Sequence, residues 1–474
     1  MAGPACYGLL VLVAPASLAL EARQVLGLSG WMAIWWVTEP VPLAATSLLP
    51  AGLLPALGVV TARDAVAPYA NELVFLFLGG FMLAAALERW NAHARIAFSL
   101  IAAIGVTSRR IILGVMVATA FISMWISNTA TAAMMYPIVL AIGALFGTDG
   151  EAKRTRTALM LGMAYAASIG GMGTLLGTPP NLILAGSARE LIGRDVSFVS
   201  FMAVGVPLTV MLIPICWALL VFVLYPSRAS LGTNASQVLL ERRRALGPLV
   251  GGEARTLAVF ALTALAWLFR ERKDIGGVVV PGLVDIAPRL TDAAVAVLGA
   301  TLLFILSVRT ADGTRRPLLT WDEARTIPWD VLLLFGGGLS LAAAMESTGL
   351  AAWLGGQMTA FGQFPPLLIY LGLAMLVLLL SELASNTAVS SMTMPIVVTL
   401  AGAIGQPPLL LMLIAALAAS TGFALPIATP PNTIVFGSGQ VSVREMVRAG
   451  VLLDLIAVVL VVLVVSLLYP IVFG

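Results

Sequence analysis

Apolar runs recur along the whole chain and are separated by short polar segments. Each run of about 20 residues is long enough to cross the roughly 30 Å hydrocarbon core of a bilayer as a helix. The pattern therefore predicts an all-α polytopic membrane protein with two helical hairpins, residues 110–146 and 364–402. The other predicted spans are 6–20, 26–38, 41–58, 71–88, 157–190, 200–224, 254–270, 291–307, 328–346, 407–440 and 447–472.

Polar residues and helix breakers interrupt this apolar sequence in matched pairs. SNTATAAMMYPIV (127–139) and SNTAVSSMTMPIV (385–397) lie 258 positions apart and agree at eight of thirteen places. At the same offset, residues 72–88 match residues 330–346 at nine of seventeen. GTPPN (177–181) and ATPPN (428–432) break the spans 157–190 and 407–440. Two half-chains with matching breaks indicate an internal repeat whose binding site lies at the membrane midplane.

Composition agrees with a membrane protein. The chain is 60% hydrophobic and 10% charged, whereas soluble proteins carry about 25% charged residues. Its net charge of +3 is typical of basic cytoplasmic loops, and no nucleic-acid partner is expected.

The distribution of basic residues predicts the topology. Lys and Arg flank the first hairpin, whereas none occurs between Arg325 and Arg444. By the positive-inside rule, the first hairpin enters from the cytoplasm and the second from outside, as in an inverted repeat. The same rule places the N-terminus in the cytoplasm and the C-terminus outside. Residues 226–255, with Arg228, Arg242 and Arg243, are then a cytoplasmic linker, and residues 271–290 are an external loop.

The repeat divides the chain into four predicted parts. Scaffold helices and a first interfacial arm occupy 1–108, and a first transport unit of hairpin and broken helix occupies 109–225. The linker, further scaffold helices and a second arm occupy 226–363. A second transport unit of hairpin, broken helix and last span occupies 364–474.

The hairpin tips carry candidate cation ligands. Ser123 stands four residues before Ser127, and Ser381 four before Ser385, so each pair is predicted to share one helix face. Hydroxyls, asparagine carbonyls and unwound backbone carbonyls are hard oxygen ligands that suit Na⁺. The alternative is that these residues only cap broken helices.

The breaks carry candidate ligands for an anion as well as a cation. Each proline removes an amide donor and disfavours helix before it, so the proline pairs predict unwound linkers. Carbonyls of such linkers can bind a cation, and helix N-termini and threonine hydroxyls can bind an anion. A simple kink at the proline pair is the alternative.

Neither tip nor break contains Lys, Arg or His. A bound anion would therefore depend on neutral donors and on co-bound cations, so that each ligand raises the affinity of the other. Glu382 is next to a tip, and Glu39 and Asp454 lie within or beside apolar runs. These acids are interpreted as structural hydrogen-bonding or capping residues and not as proton carriers.

The paired Ser-Asn-Thr and Thr-Pro-Pro-Asn motifs, together with WMAIWWVTEPVPLAATSLLP near the start, resemble the divalent anion/sodium symporter family. The resemblance covers nearly the whole chain and implies a homodimeric elevator-type transporter in the inner membrane. It implies a first sodium site at Ser123, Ser127, Asn128 and Gly177, and a second at Ser381, Ser385, Asn386, Ala428 and Pro430. It assigns the substrate carboxylates to Asn128, Thr129, Thr178, Asn386, Thr387 and Thr429.

The resemblance implies sodium-coupled import of C4-dicarboxylates such as succinate, malate and fumarate. A sodium-independent dicarboxylate exchanger and a sodium/sulfate symporter remain alternatives. A channel would need a continuous polar pore, and an enzyme would need a nucleophile with a base or paired catalytic acids; the sequence indicates neither. The preferred anion, the Na⁺ stoichiometry and the conformational state stay open.

Overall fold

Most of the chain is helical. The computed structural model describes residues 2–105, 107–146, 149–226, 244, 246–249, 251–275, 278–309 and 313–474. Arg228, Arg242 and Arg243 of the predicted linker lie outside the described residues. The helices of the first half are α1 Ala2–Val13, α2 Leu20–Thr38, α3 Leu43–Thr46, α4 Leu49–Ala56, α5 Ala62–Val66, α6 Glu72–Arg89, α7 Ala92–Ile104, α8 Ser108–Ser123, α9 Asn128–Gly143, α10 Gly150–Gly171, α11 Pro179–Ile192 and α12 Phe198–Ala218.

The second half also contains both long and short helices. A π-helical turn, Leu219–Leu224, extends α12, and two short antiparallel hairpins lie between helices, β1 Lys273–Ile275 with β2 Val278–Val280 and β3 Ser307–Arg309 with β4 Arg315–Pro317. The helices are α13 Gly251–Leu268, α14 Asp292–Ile305, α15 Trp321–Ala324, α16 Trp329–Ser347, α17 Leu350–Met358, α18 Pro366–Leu383, α19 Asn386–Ala403, α20 Pro408–Ala419, α21 Pro430–Gly437 and α22 Val443–Val472. Single 3₁₀ turns are Ala67–Ala70, Leu283–Asp285 and Thr359–Gln363.

Five helical segments of the described chain are long and apolar enough to cross a membrane. They agree with predicted spans, and several shorter apolar helices complete the helical body. The five are Ala62–Arg89, Phe198–Leu224, Trp329–Ser347, Pro366–Leu383 and Val443–Val472.

The predicted span 41–58 is wrong. The segment forms two short helices, because α3 ends at Thr46 and α4 starts at Leu49. Pro50 accounts for the break, since a proline ring clashes with the carbonyl four residues earlier, here that of Thr46. Ser47, in the break, accepts two hydrogen bonds from other parts of the chain. Trp36 Nε1 donates to Ser47 Oγ at 3.2 Å, and the Tyr69 hydroxyl donates to the Ser47 carbonyl.

Two further features were not predicted. Helix α7 lies between the spans 71–88 and 110–146, where the hydrophobic pattern indicated no span. The β1–β2 hairpin lies inside the predicted external loop 271–290. Both are short elements whose apolar runs are too short to stand out among membrane-length segments.

Paired glycines let helices approach closely. A Cβ atom on Gly79 would lie 2.5 Å from the backbone of Ala296, and one on Gly337 would lie 2.1 Å from the carbonyl oxygen of Ser47. These contacts join α6 to α14 and α16 to the α3–α4 break. Small residues therefore set the distances between helices in this body.

The two halves of the chain interlock around their broken helices. Helix α11 packs against α19 and α20, which belong to the second half. Helix α21 packs against α9 and α10, which belong to the first half. Each half-helix that follows a break is therefore held by the opposite half of the chain, and this exchange brings the two breaks together.

An ion-pair cluster around Glu323, outside the apolar body, predicts how the stability of the fold depends on pH. Burial raises the pKa of Glu323, but hydrogen bonds from Arg316 and Thr320 outweigh burial and lower that pKa from 4.5 to about 2. A lowered carboxyl pKa contributes stability above about pH 4.5 that is lost as the pH falls toward 2. We expect Glu323→Gln to lower the thermal midpoint at pH 6 by more than at pH 3.

The neighbouring Asp322 provides the control for this experiment. Its side chain is 81% exposed and its nearest partner, Arg325, lies 3.6 Å away, so Asp322→Asn should change the midpoint little at either pH. Equal effects of Glu323→Gln at both pH values would show that the cluster does not stabilise the fold through ionisation.

Candidate functional site: a cavity between two hairpin tips and two helix breaks

The first hairpin turns between α8 and α9. Helix α8 ends at Ser123 and α9 starts at Asn128, with Ser127 as its N-cap; Ser127 Oγ accepts from the Ala130 amide at 3.3 Å. The prediction that Ser123 and Ser127 share a helix face is wrong, because the chain reverses between them. Ser123 instead lies beneath the tip, 2.8 Å from the inner side-chain amide atom of Asn128 and 2.7 Å from the Ala167 carbonyl.

The second hairpin has the same arrangement. Ser381 is in α18 and Ser385 precedes α19, so this pair does not share a helix face either. Ser381 Oγ lies 2.6 Å from Asn386 Oδ1 and 2.6 Å from the Ala419 carbonyl. The two tips therefore place the same three groups together, here called a tip cluster: a serine hydroxyl, an asparagine side-chain amide and a carbonyl of a broken helix.

The second tip has fewer protons than its contacts need. The Ser381 hydroxyl has one proton and cannot donate both to Asn386 Oδ1 and to the Ala419 carbonyl, so three oxygens converge there in the manner of a cation site. At the first tip, the inner amide atom of Asn128 also lies 3.0 Å from the Ala167 carbonyl and 3.2 Å from the Gly177 carbonyl. Its neighbours accept hydrogen bonds, so this atom is the amide nitrogen, which donates to these carbonyls and to the Ser123 hydroxyl.

The breaks begin earlier than the sequence predicted. The first unwound segment is 172–178 and the second is 420–429. The proline pairs are not in the linkers; they occupy the first turn of α11 and α21. Proline is tolerated there because the first helical amides have no intrahelical acceptor. The linker immediately before each proline pair contains the cation-ligand candidates Gly177 and Ala428.

Each break is tied to its hairpin by a different group. In the first half, the Thr174 hydroxyl donates to the Met124 carbonyl at the turn of the hairpin. In the second, Glu382 accepts from the Ala424 amide at 2.8 Å and from the Leu425 amide at 2.9 Å. Asp454 accepts from the Phe423 amide at 3.0 Å. These bonds agree with the interpretation of Glu382 and Asp454 as structural residues.

The tips and breaks meet at one cavity of about 960 Å³. Of the predicted site residues, all line it except Ser123 and Ser381, which lie buried behind the asparagines. The sequence pattern did not reveal the carbonyls of Ala167 and Ala419, because these residues lie within uninterrupted apolar runs. The predicted residues on the cavity wall are Ser127, Asn128, Thr129, Gly177, Thr178, Ser385, Asn386, Thr387, Ala428, Thr429 and Pro430.

The cavity wall has little charge. Among the described residues, no Lys, Arg or His lines it, and its two carboxylates, Glu39 and Asp330, belong to exposed side chains. The amide groups at the N-termini of α9 and α19 are the positive ends of helix dipoles at this cavity. The site therefore offers neutral donors to an anion and neutral oxygens to a cation.

Sequence comparison identifies the family. A model of the sodium:sulfate symporter transmembrane region matches residues 5–474. The chain belongs to this symporter family. Two similar relatives are the sodium-dependent dicarboxylate transporters SdcS of Staphylococcus aureus strains bovine RF122 and MRSA252. Each is 39% identical over 467 residues, which cover 97% of this chain and 88% of the relative.

Solved structures support a membrane transporter fold for this symporter. The Alcanivorax borkumensis YdaH transporter aligns with a TM-score of 0.61 at 14% identity, over 93% of this chain and 98% of that one. Neisseria gonorrhoeae MtrF aligns with a TM-score of 0.61 at 12% identity, over 96% of each chain. Membership of the family makes Na⁺ the coupling ion and the protein a transporter, as predicted from the motifs.

Proposed function

We propose that the protein is a sodium-coupled secondary active symporter that imports C4-dicarboxylates such as succinate, malate and fumarate. The observation that supports this most is the cavity where both Ser-Asn-Thr tips meet both Thr-Pro-Pro-Asn breaks. The 39% identical relatives named as sodium-dependent dicarboxylate transporters support the same substrate class. In a site without basic side chains, co-bound cations would supply the positive charge that stabilises a dianion, which explains the coupling physically.

The proposed sodium ligands are those implied by the family resemblance, and they lie at the hairpin tips and beside the proline pairs. The first sodium ion would be held by Ser123, Ser127, Asn128 and the backbone of Gly177. The second would be held by Ser381, Ser385, Asn386, Ala428 and Pro430. The substrate carboxylates would contact neutral donors of the same tips and breaks, namely Asn128, Thr129, Thr178, Asn386, Thr387 and Thr429.

The proposed mechanism is an elevator built on an inverted repeat. The transport units 109–225 and 364–474 would move together, because α11 and α21 are each held by the opposite half. The parts 1–108 and 226–363 would supply the scaffold and a homodimer interface. The protein would be in the inner membrane, with its N-terminus in the cytoplasm and its C-terminus outside.

A second candidate substrate is sulfate. The family whose model matches this chain is named for sodium:sulfate symport. Sulfate is also a divalent anion that neutral donors can bind. A sodium-independent exchanger is a further alternative, which the same measurements distinguish.

Removal of sodium should abolish transport. We expect purified protein in liposomes to take up labelled succinate with an inward Na⁺ gradient, and uptake to fall to the level of empty liposomes when choline replaces Na⁺. Because cation and anion stabilise each other, raising Na⁺ should also lower the succinate concentration needed for half-maximal uptake. Labelled sulfate in parallel liposomes tests the second substrate.

Two results would contradict the proposal. Uptake that is unchanged in choline and depends on internal succinate would identify an exchanger. Sodium-dependent sulfate uptake without succinate uptake would support sodium coupling and would show that sulfate, not a C4-dicarboxylate, is the substrate.

A further inference from the structure

The last residue of each Thr-Pro-Pro-Asn motif makes the same contacts in both halves of the chain. Asn181 Nδ2 donates to the Gly171 carbonyl at 2.9 Å and to the Thr174 carbonyl at 2.7 Å. Asn432 Nδ2 donates to the Gly422 carbonyl at 3.5 Å and to the Leu425 carbonyl at 3.0 Å. In both copies the acceptors stand ten and seven residues before the asparagine. Both asparagines are fully buried.

These bonds satisfy backbone carbonyls that the helix breaks leave without intrahelical donors. The carbonyl of Gly171 is at the end of α10, and those of Thr174, Gly422 and Leu425 are in the unwound segments. Carbonyls at a helix C-terminus have no intrahelical donor, and the prolines that follow each break contribute no N–H. The asparagine amide is the donor that spans the unwound segment and joins its upstream end to the first turn of the next helix. We call the pair Asn181 and Asn432 the linker clamps.

The carbonyl held by the first clamp contacts the first proposed sodium site. A Cβ atom on Gly171 would lie 2.2 Å from the inner side-chain amide atom of Asn128, and one on Gly177 would lie 2.4 Å from the Gly171 carbonyl oxygen. The side-chain amide of Asn128 and the backbone of Gly177 therefore pack directly against the Gly171 peptide, whose carbonyl Asn181 binds. A displacement of Gly171 would move both proposed ligands.

The second clamp has the corresponding position. A Cβ atom on Gly422 would lie 3.3 Å from the Ala428 side chain and 3.7 Å from the Ser381 carbonyl. Gly422 is thus packed between a linker ligand and the hairpin helix that carries Ser381. Its carbonyl is the acceptor of Asn432.

The side-chain oxygen of each clamp indicates the role of the asparagine. Asn181 Oδ1 and Asn432 Oδ1 are buried and have no hydrogen-bond partner in the described structure. A buried unsatisfied acceptor is unfavourable, so the amide is explained by its two N–H donors and not by packing alone. If these two positions required only side-chain volume, leucine would be more favourable than asparagine.

We propose that Asn181 and Asn432 are positioning residues that set the sodium affinity of the two sites without contacting the ion. Each clamp fixes the spacing between the linker carbonyl and the hairpin tip. Supporting residues of this kind change metal affinity by about 10- to 100-fold when removed. The inference rests on the proposed sodium-coupled function.

The test measures sodium affinity apart from transport. Purified wild type, Asn181→Ala and Asn432→Ala are heated in detergent at increasing Na⁺ without substrate, and the Na⁺ concentration that gives half of the stabilisation is determined. Succinate uptake by the same proteins in liposomes is measured over the same Na⁺ range. We expect the half-saturating Na⁺ to rise about 10- to 100-fold in each variant, with uptake restored at high Na⁺.

Thr209 provides a matched control. Its buried hydroxyl donates at 3.0 Å to the carbonyl of Ile169, two residues before Gly171 on the same helix, but it does not span the break. We expect Thr209→Val to leave the half-saturating Na⁺ within about twofold of wild type. Asn181→Leu and Asn432→Leu keep the side-chain volume and should show the same loss of sodium affinity as the alanine variants.

Other outcomes overturn the inference. Wild-type sodium affinity in the alanine and leucine variants would show that the clamps do not position the sites. Loss of folding, or a lower midpoint in the absence of sodium with unchanged half-saturation, would show a structural role only. A wild type that sodium does not stabilise and that transports without sodium would instead refute the proposed function, and the clamp inference with it.

Discussion

Replacing either tip asparagine should abolish uptake while the protein stays folded. Asn128 and Asn386 each lie within 2.8 Å of a buried serine hydroxyl and face the cavity. Each is proposed to contact both a cation and the substrate. Hydrogen bonds to charged groups contribute about 1.5–3 kcal/mol each, so the loss of two corresponds to roughly a 10²- to 10⁴-fold fall in uptake.

The expected stability of these variants follows from their position. Asn128 and Asn386 are the first residues of α9 and α19, and alanine is the most favourable helix residue. The helices should therefore persist, and Asn128→Ala and Asn386→Ala should elute from size exclusion as wild type does. Succinate uptake in liposomes at saturating Na⁺ is the measurement.

A third asparagine provides the control. Asn71 caps α6, where its Oδ1 accepts from the Leu73 amide at 3.0 Å, and it does not line the cavity. Asn71→Ala should lower stability by about 1 kcal/mol and retain uptake. Near wild-type uptake by Asn128→Ala or Asn386→Ala would show that the tip in question only terminates a helix.

Transport should also respond to membrane potential. A C4-dicarboxylate carries two negative charges near neutral pH, and the two proposed sodium sites would hold two ions that only balance them. We expect a third sodium ion to be transported as well, which would leave one net positive charge. Moving one charge across about 100 mV is worth about 2.3 kcal/mol, or roughly fifty-fold in accumulation.

The voltage experiment uses liposomes with fixed sodium gradients. A potassium gradient with valinomycin sets the interior negative, and equal potassium on both sides with valinomycin provides the control at zero potential. Uptake should rise with the potential. Uptake that does not change with voltage would indicate an electroneutral cycle with two sodium ions. That result would contradict transport of a third sodium ion.

The duplicated motifs are enough to predict which residues meet at the site. Ser-Asn-Thr and Thr-Pro-Pro-Asn each occur twice, and polar, helix-breaking residues are tolerated at membrane depth only where they face protein or water. That constraint predicts one shared site from Asn128, Asn386, Thr178 and Thr429, which line one cavity. Membership of the symporter family follows from the same residues.

Local geometry at the tips depended on tertiary structure. Spacing alone placed Ser123 and Ser127 on one helix face, but the hairpin reverses between them, so Ser123 meets Asn128 and the Ala167 carbonyl instead. The helix-breaking chemistry of proline also placed the proline pairs in the linkers, whereas they begin α11 and α21. Periodicity describes a continuous helix, and it gives no information about the residue at which a helix ends.

The sequence by itself determined the membrane class, the duplicated motifs and the absence of basic side chains from the tips and breaks, because these depend on residue type and order. Only the tertiary structure decided which backbone carbonyls complete the tip clusters and which side chains support them. Ala167 and Ala419 contribute carbonyls that any residue would possess. Asn181 and Asn432 reach carbonyls ten residues away only because the intervening chain is unwound and folded back.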